Sequence, residues 1–186
     1  YGCEAVYGTK EYTHEEIQIE EALAEKLPVH WTHGLTLIHP EDVPFAIEQA
    51  PDVFTQFRKQ VEKQSEVRDL IPDPDFVPVP DLPATDLPTL EDLGFALPPR
   101  DERAALGFKG GAAAAFERLD HYLWDTEAVA NYKKTRNGLI GADYSTKFSP
   151  WLANGSLSPR SIYQEVEKFH HEDTENSSPD VVTFEL

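Results

Sequence analysis

Residues 131–160 read NYKKTRNGLIGADYSTKFSPWLANGSLSPR. Lys133, Lys134, Arg136, Lys147 and Arg160 stand there against one acid, Asp143, so the window has a formal charge of +4 inside a chain of −18. Local charge sets local partners, so an anion-binding surface belongs in this window. The window also sets the fold of its surroundings. Ser149-Pro150 and Ser158-Pro159 each read as a helix N-cap followed by proline at the first helical position. The second opens a helix with Ile162, Val166 and Phe169 on its inner face.

Upstream of the window, Gly110-Gly111 precede AAAAFERLDHYLWDTEAVANYKK, in which Phe116, Leu119, Leu123 and Val129 mark an apolar stripe. Asp125 or Thr126 is placed to cap a following helix. Several helices joined by short turns, without intervening strands, predict an all-α region over 101–186.

Residues 1–70 read differently. An apolar run at Cys3–Tyr7 predicts a strand, and Glu15–Leu27 predicts a helix with Ile19, Ala22, Leu23 and Leu27 near one stripe. Val29-His30-Trp31 and Leu35–Ile38 predict short strands or extended pieces. Pro51–Lys63 predicts a second helix, with Pro51 in its first turn and Val53, Phe54, Phe57 and Val61 at helical spacing. Strand, helix, strand, helix suggests the end of an α/β domain. The two regions are separated by 71–100, where eight of the fifteen prolines fall. Proline at that density forbids helix and predicts a semi-rigid connector. Its apolar members Phe76, Val77, Val79, Leu82 and Leu87 predict a strap laid along a surface.

At 186 residues, one ordinary domain or two small pieces fit. With 34 acids against 16 basic residues, the overall field opposes nucleic acid and suits solubility. Cys3 is the only cysteine, which excludes an internal disulfide and suits a reducing, intracellular compartment. The absence of methionine and the apolar runs at both ends, Cys3–Tyr7 and Val181-Val182-Thr183-Phe184-Glu185-Leu186, read as an internal segment of a longer, soluble protein. No run of apolar residues is long enough to span a membrane. The seven histidines, His170-His171 included, lack metal-ligand spacing, so no metal site is expected.

The chemistry of the window centres on Ser145-Thr146-Lys147-Phe148-Ser149. Three hydroxyls and an ammonium before a helix start suit a diphosphate, which free N–H groups and the positive dipole end attract. A second reading stands beside it, in which Ser149 caps its own helix and Lys147 is a solvated charge. Tyr132 and Arg136, four apart, share a helical face and suit stacking and a charge-assisted contact, or else form a core-edge tyrosine beside a solvated arginine.

RLDHYLWDTEAVANYKKTRNGLIGADYSTKFSPWLANGSLSPRSIYQEVEKF resembles the start of the flavin-binding domain of the photolyase and cryptochrome family, with the match closest to its DASH branch. DVFTQFRK at 52–59, LEDLG at 90–94 and FKGG at 108–111 are similar to that branch in the same order. The resemblance implies three parts: the C-terminal part of a Rossmann-like α/β antenna domain at 1–70, an interdomain connector at 71–100, and the first part of a helical FAD-binding domain at 101–186. It implies that Tyr132, Ser145, Thr146, Lys147, Phe148 and Ser149 contact FAD, chiefly around its phosphates, and that Arg136 faces DNA. The run departs from the more general TSxLS form at Ser145, Thr146 and Phe148, but keeps its hydroxyls. Glu11 falls where the family grips a folate antenna, methenyltetrahydrofolate, although a solvated glutamate fits that position equally.

The resemblance further implies a blue-light flavoprotein that repairs cyclobutane pyrimidine dimers by electron transfer from excited reduced FAD, in the DASH branch within single-stranded DNA. Such a carbon–carbon lyase keeps its hard chemistry on the cofactor, so no general acid, base or nucleophile is expected in this segment. Signalling without repair is the alternative, and a non-functional fragment the third reading. Residues lining the lesion pocket are implied to lie beyond Leu186. Half a helical core is then expected to leave Ile162, Val166 and Phe169 without partners.

Overall fold

The computed structural model describes residues 2–78, 80–97, 99 and 101–172, so Val79 and the apolar end at 181–186 lie outside the described residues. The chain divides into two units, Tyr1–Leu70 with Phe108–Leu186, and Ile71–Gly107. Secondary structure is mostly helical, with one small parallel sheet.

The sheet pairs β1 (Val6–Thr9) with β2 (Val29–Thr32), Val6 opposite Val29 and Thr9 opposite Thr32. Parallel pairing needs a crossover, which α1 (His14–Ala24) supplies. The first strand therefore starts at Val6, later than the apolar run suggests. Gly8 faces Trp31 across the ladder, and a Cβ there would lie 2.6 Å from the indole ring, so a side chain would force the ring to shift. Leu35–Ile38 forms no strand; the segment bends, and the Thr36 hydroxyl donates to the Ile38 carbonyl at 2.8 Å.

The predicted stripe of α1 is not its covered face. Ile19 and Leu27 are exposed, whereas Glu20 is buried. Its carboxylate accepts from Lys10 Nζ and, at 2.7 Å, from the Glu11 amide, so the helix is turned to bind the loop that follows β1. The Lys10 bond and the Glu11 amide hold the Glu20 carboxyl below its ordinary range. The second helix, α2 (Phe54–Gln64), starts three residues after Pro51, which lies before its first turn. Phe45 packs on Phe57 with ring centroids 5.4 Å apart. Arg68 binds Asp42 through Nε and Nη2 at 2.6 and 2.9 Å, a bidentate pair returning the chain to the 40–42 turn.

Ile71–Gly107 contains no regular helix or strand among its described residues. Phe76, Val77, Leu82 and Leu87 are exposed, contrary to a strap that hides them. Proline removes the donors with which such a segment would join a ladder. One turn is locally fixed: Thr89 and Asp92 cap each other, with the Thr89 amide and hydroxyl donating to Asp92 at 2.8 and 2.7 Å.

The apolar core of the described residues lies between Ala115 and Phe169. Its frame is α3 (Ala112–Asp120), a π turn (His121–Asp125), a 3-10 turn (Ala128–Asn131), α4 (Tyr132–Thr135), α5 (Ser149–Ala153) and α6 (Pro159–Glu172). Ser158 caps α6 as expected, its hydroxyl accepting from the Arg160 amide at 3.2 Å. Thr126 does not begin a helix. Its amide and hydroxyl both donate to the His121 carbonyl, at 3.0 and 2.9 Å, and so close the π turn. That wider turn carries Tyr122 and Leu123 fully inward.

Ile162, Val166 and Phe169 are buried, which corrects the expectation of an unpartnered face. They share the cluster with Leu119, Leu123 and Val129, and Trp124 packs on Phe169 at 5.4 Å. Burying each such side chain contributes about 1.5–3 kcal/mol, enough for the helices to satisfy one another. Phe116, expected in the stripe, stays exposed.

Tyr122 is fully buried, and its hydroxyl has no hydrogen-bond partner among the described residues. Burial pushes the phenol up to about 12. The neutral form is thus favoured on folding. Its contribution is complete below the unfolded phenol's value near 10 and is lost as pH rises through about 12. Tyr122→Phe should flatten the alkaline limb of stability measured by urea melts between pH 9 and 12. At pH 7 it should be neutral or stabilising by about 1 kcal/mol, since an unpartnered polar group leaves the core.

Candidate functional site

The expected anion loop joins α4 to α5, and its conformation differs from a capped helix start. α5 is only five residues long, with Phe148 at its N-cap and Ser149 as its first residue. No side-chain cap bond forms, so Ser149 does not cap its own helix. A helix this short adds little dipole, and the loop itself must supply the geometry.

Phe148 fixes one end of the loop. It is buried in the helical core with Tyr132, and its ring meets Tyr122 edge-on at 6.0 Å. Lys147, immediately before it, has φ of 62°, the left-handed region that costs a residue bearing a Cβ about 1 kcal/mol or more. The inward anchor at Phe148 and this reversal leave Lys147 half-buried, its Nζ 3.5 Å from the Tyr144 ring centroid.

The other end is held by Arg118 of α3, a residue that the sequence reading passed over. Its guanidinium is buried, and donates from Nε to the Thr146 carbonyl at 2.9 Å. Nη2 reaches the carbonyls of Ala142 and Ser145, each at 3.2 Å. Nη1 meets Asp143 Oδ1 at 2.6 Å, and the guanidinium lies 5.2 Å from the Tyr122 ring centroid. The Arg118 bond holds the Asp143 carboxyl below its ordinary range. Asp143, the one acid of the basic window, is thereby neutralised. The signal was present: Arg118 stands on the face shared by Ala115, Leu119 and Tyr122, a charge within an apolar stripe.

A third restraint comes from Gly138, whose amide donates to the Thr135 carbonyl at 2.7 Å. A Cβ at Gly138 would lie 3.1 Å from Tyr144 Cβ, so glycine lets Tyr144 approach the end of α4. Tyr132, on α4, is 7% exposed and sits at the edge of the core. Arg136 follows one turn later and is exposed, beside exposed Lys133 and Lys134. Glu11 lies in the β1–α1 loop, its amide tied to Glu20.

The donor set fits a phosphate group. Among the described residues, the hydroxyls of Ser145, Thr146 and Ser149 make no hydrogen bond to protein, and Lys147 has no carboxylate partner. An anionic ligand would use exactly those donor types, hydroxyls and an ammonium, without breaking a protein bond. Tyr132, by contrast, belongs to the buried core cluster, with 7% of its surface exposed. Among the described residues no three His, Cys, Asp or Glu side chains converge as metal ligands, and no helix is long and apolar enough to cross a membrane.

The DNA photolyase family profile matches residues 1–81. A protein named Cryptochrome DASH from Danio rerio is 48% identical over 95% of this chain and 36% of its own length. Another of that name from Gloeobacter violaceus is 45% identical over 98% of the chain and 38% of its own length. The crystal structure of the Synechocystis sp. PCC6803 cryptochrome superposes with a TM-score of 0.79 at 39% identity, covering 98% of this chain and 39% of that one. The chain thus spans less than two fifths of the length of these relatives.

Left-handed backbone at Lys147 gives a direct check on the loop. Lys147→Gly should be more stable than Lys147→Ala by about 1 kcal/mol in thermal or urea melts, because glycine adopts that φ without a Cβ penalty. Equal stability of the two variants would mean that the chain does not turn there.

Proposed function

Because the chain belongs to the photolyase and cryptochrome family, we propose that its helical region holds the diphosphate side of an FAD site. The observation that carries this reading is the set of uncommitted donors on one restrained loop. Ser145, Thr146 and Ser149 would hydrogen-bond the phosphates, Lys147 would neutralise them, and Phe148 would keep the loop seated in the core. Tyr132 would contact the cofactor at the edge of that core. Residues 1–70 are read as the C-terminal part of the α/β antenna domain, 71–100 as the connector and 101–186 as the first part of the FAD-binding domain.

Bound FAD would supply light absorption and one-electron chemistry, and the chain's residues would supply position and charge. The parent activity we propose is carbon–carbon lyase repair of cyclobutane pyrimidine dimers in single-stranded DNA. Arg136, exposed with Lys133 and Lys134, would meet backbone phosphates there. Glu11, on the loop held by Glu20, is proposed to grip a folate antenna. The name cryptochrome borne by the relatives favours a second reading, blue-light signalling without repair.

Two measurements on the full-length protein test these readings. Lys147→Glu should lower retained flavin absorbance after gel filtration at least about tenfold, since attraction to a phosphate becomes repulsion; undiminished retention would return Lys147 to a surface charge. Blue-light repair of a dimer-containing single-stranded oligonucleotide separates lyase from receptor. Flavin binding without repair would select the signalling reading.

A further inference from the structure

We propose that Arg118 is the positioning residue of the diphosphate loop, acting from behind it to aim backbone amides at the cofactor. This rests on the FAD reading above. It goes beyond that reading because Arg118 is not among the residues read as contacting the cofactor: its four hydrogen bonds all go to the protein.

In a trans peptide the carbonyl of one residue and the amide of the next point in opposite directions, and no peptide bond among the described residues is cis. Arg118 draws the carbonyls of Ala142, Ser145 and Thr146 toward the core. The amides of Asp143, Thr146 and Lys147 are therefore turned away from the guanidinium, two of them consecutive. The chain then passes from left-handed φ at Lys147 to right-handed helical backbone at Phe148, φ −78° and ψ −18°. Alternation of hand at successive residues makes neighbouring amides converge, the geometry of an anion nest. Both devices bear on the run whose hydroxyls are uncommitted.

Guanidinium shape matters more than its charge. A lysine at 118 would keep the pair with Asp143, but one ammonium cannot serve three carbonyls and a carboxylate spread along 142–146. The loop would stay attached while its peptide planes rotate.

The test uses the full-length protein with Arg118→Met and Arg118→Lys, read by FAD affinity from flavin fluorescence and by amide hydrogen exchange. Arg118→Met should weaken FAD binding at least about tenfold, with faster exchange confined to 142–149 and α6 protected as in the unaltered protein. Arg118→Lys should recover part of the affinity and leave exchange at 142–149 raised. Undiminished FAD affinity in both variants, or exchange raised equally across α6, would overturn the inference in favour of a merely structural arginine. Should Arg118→Met fail to fold, Arg118→Lys decides by the same criteria. An unaltered protein that binds no FAD would instead remove the cofactor reading, and this inference with it.

Discussion

A guanidinium taken out of water must find partners for its N–H donors or lose several kcal/mol of hydration, and Arg118 places four hydrogen bonds on one short stretch of chain. Those partners lie 24 to 28 residues away in sequence, so burying the arginine and shaping the loop are one event. α3 cannot pack with Arg118 inside unless 142–146 presents its carbonyls. The loop has no regular structure of its own to do so without the arginine. Tyr122 and Phe148 complete the arrangement, one beneath the guanidinium and the other at the loop's end.

The two ends of the chain solve the same problem by different means. From Ala115 to Phe169, apolar side chains bury one another and the helices form a continuous core. Among the described residues up to Leu70 the buried side chains are Glu20 and His39, and much of the order comes from polar ties: Glu20 to Lys10 and Glu11, Arg68 to Asp42. Exposed pairs of the latter kind contribute little each, about 0–1 kcal/mol, whereas apolar burial accumulates. Global stability is accordingly set by the helical core.

Local pattern was legible in the sequence; long-range packing was not. Helical spacing placed Leu119, Leu123, Val129, Ile162, Val166 and Phe169 on inner faces, and Ser158-Pro159 marked the start of α6. The clustered hydroxyls of 145–149 could likewise be read directly. Periodicity failed for α1, where Glu20 is the buried residue, bound to Lys10 and the Glu11 amide, and Ile19 and Leu27 are exposed. Proline-after-serine failed at Ser149, since burial of Phe148 sets where α5 begins. Arg118 shows in the sequence as a charge within an apolar stripe, but the carbonyls it binds, 24 to 28 residues away, leave no local trace.

Lys147 resting on Tyr144 has a consequence for the entropy of binding. A free lysine side chain samples many rotamers, and ordering it costs about 1.5–2 kcal/mol when it meets a ligand. On the ring, with its backbone already fixed in the left-handed region, much of that ordering is complete beforehand. A cation–π contact at a half-exposed site is worth only about 0.5–1 kcal/mol, so an anion can take the ammonium from the ring at small expense. Tyr144 thus acts as a rest that keeps the charge ready without holding it back.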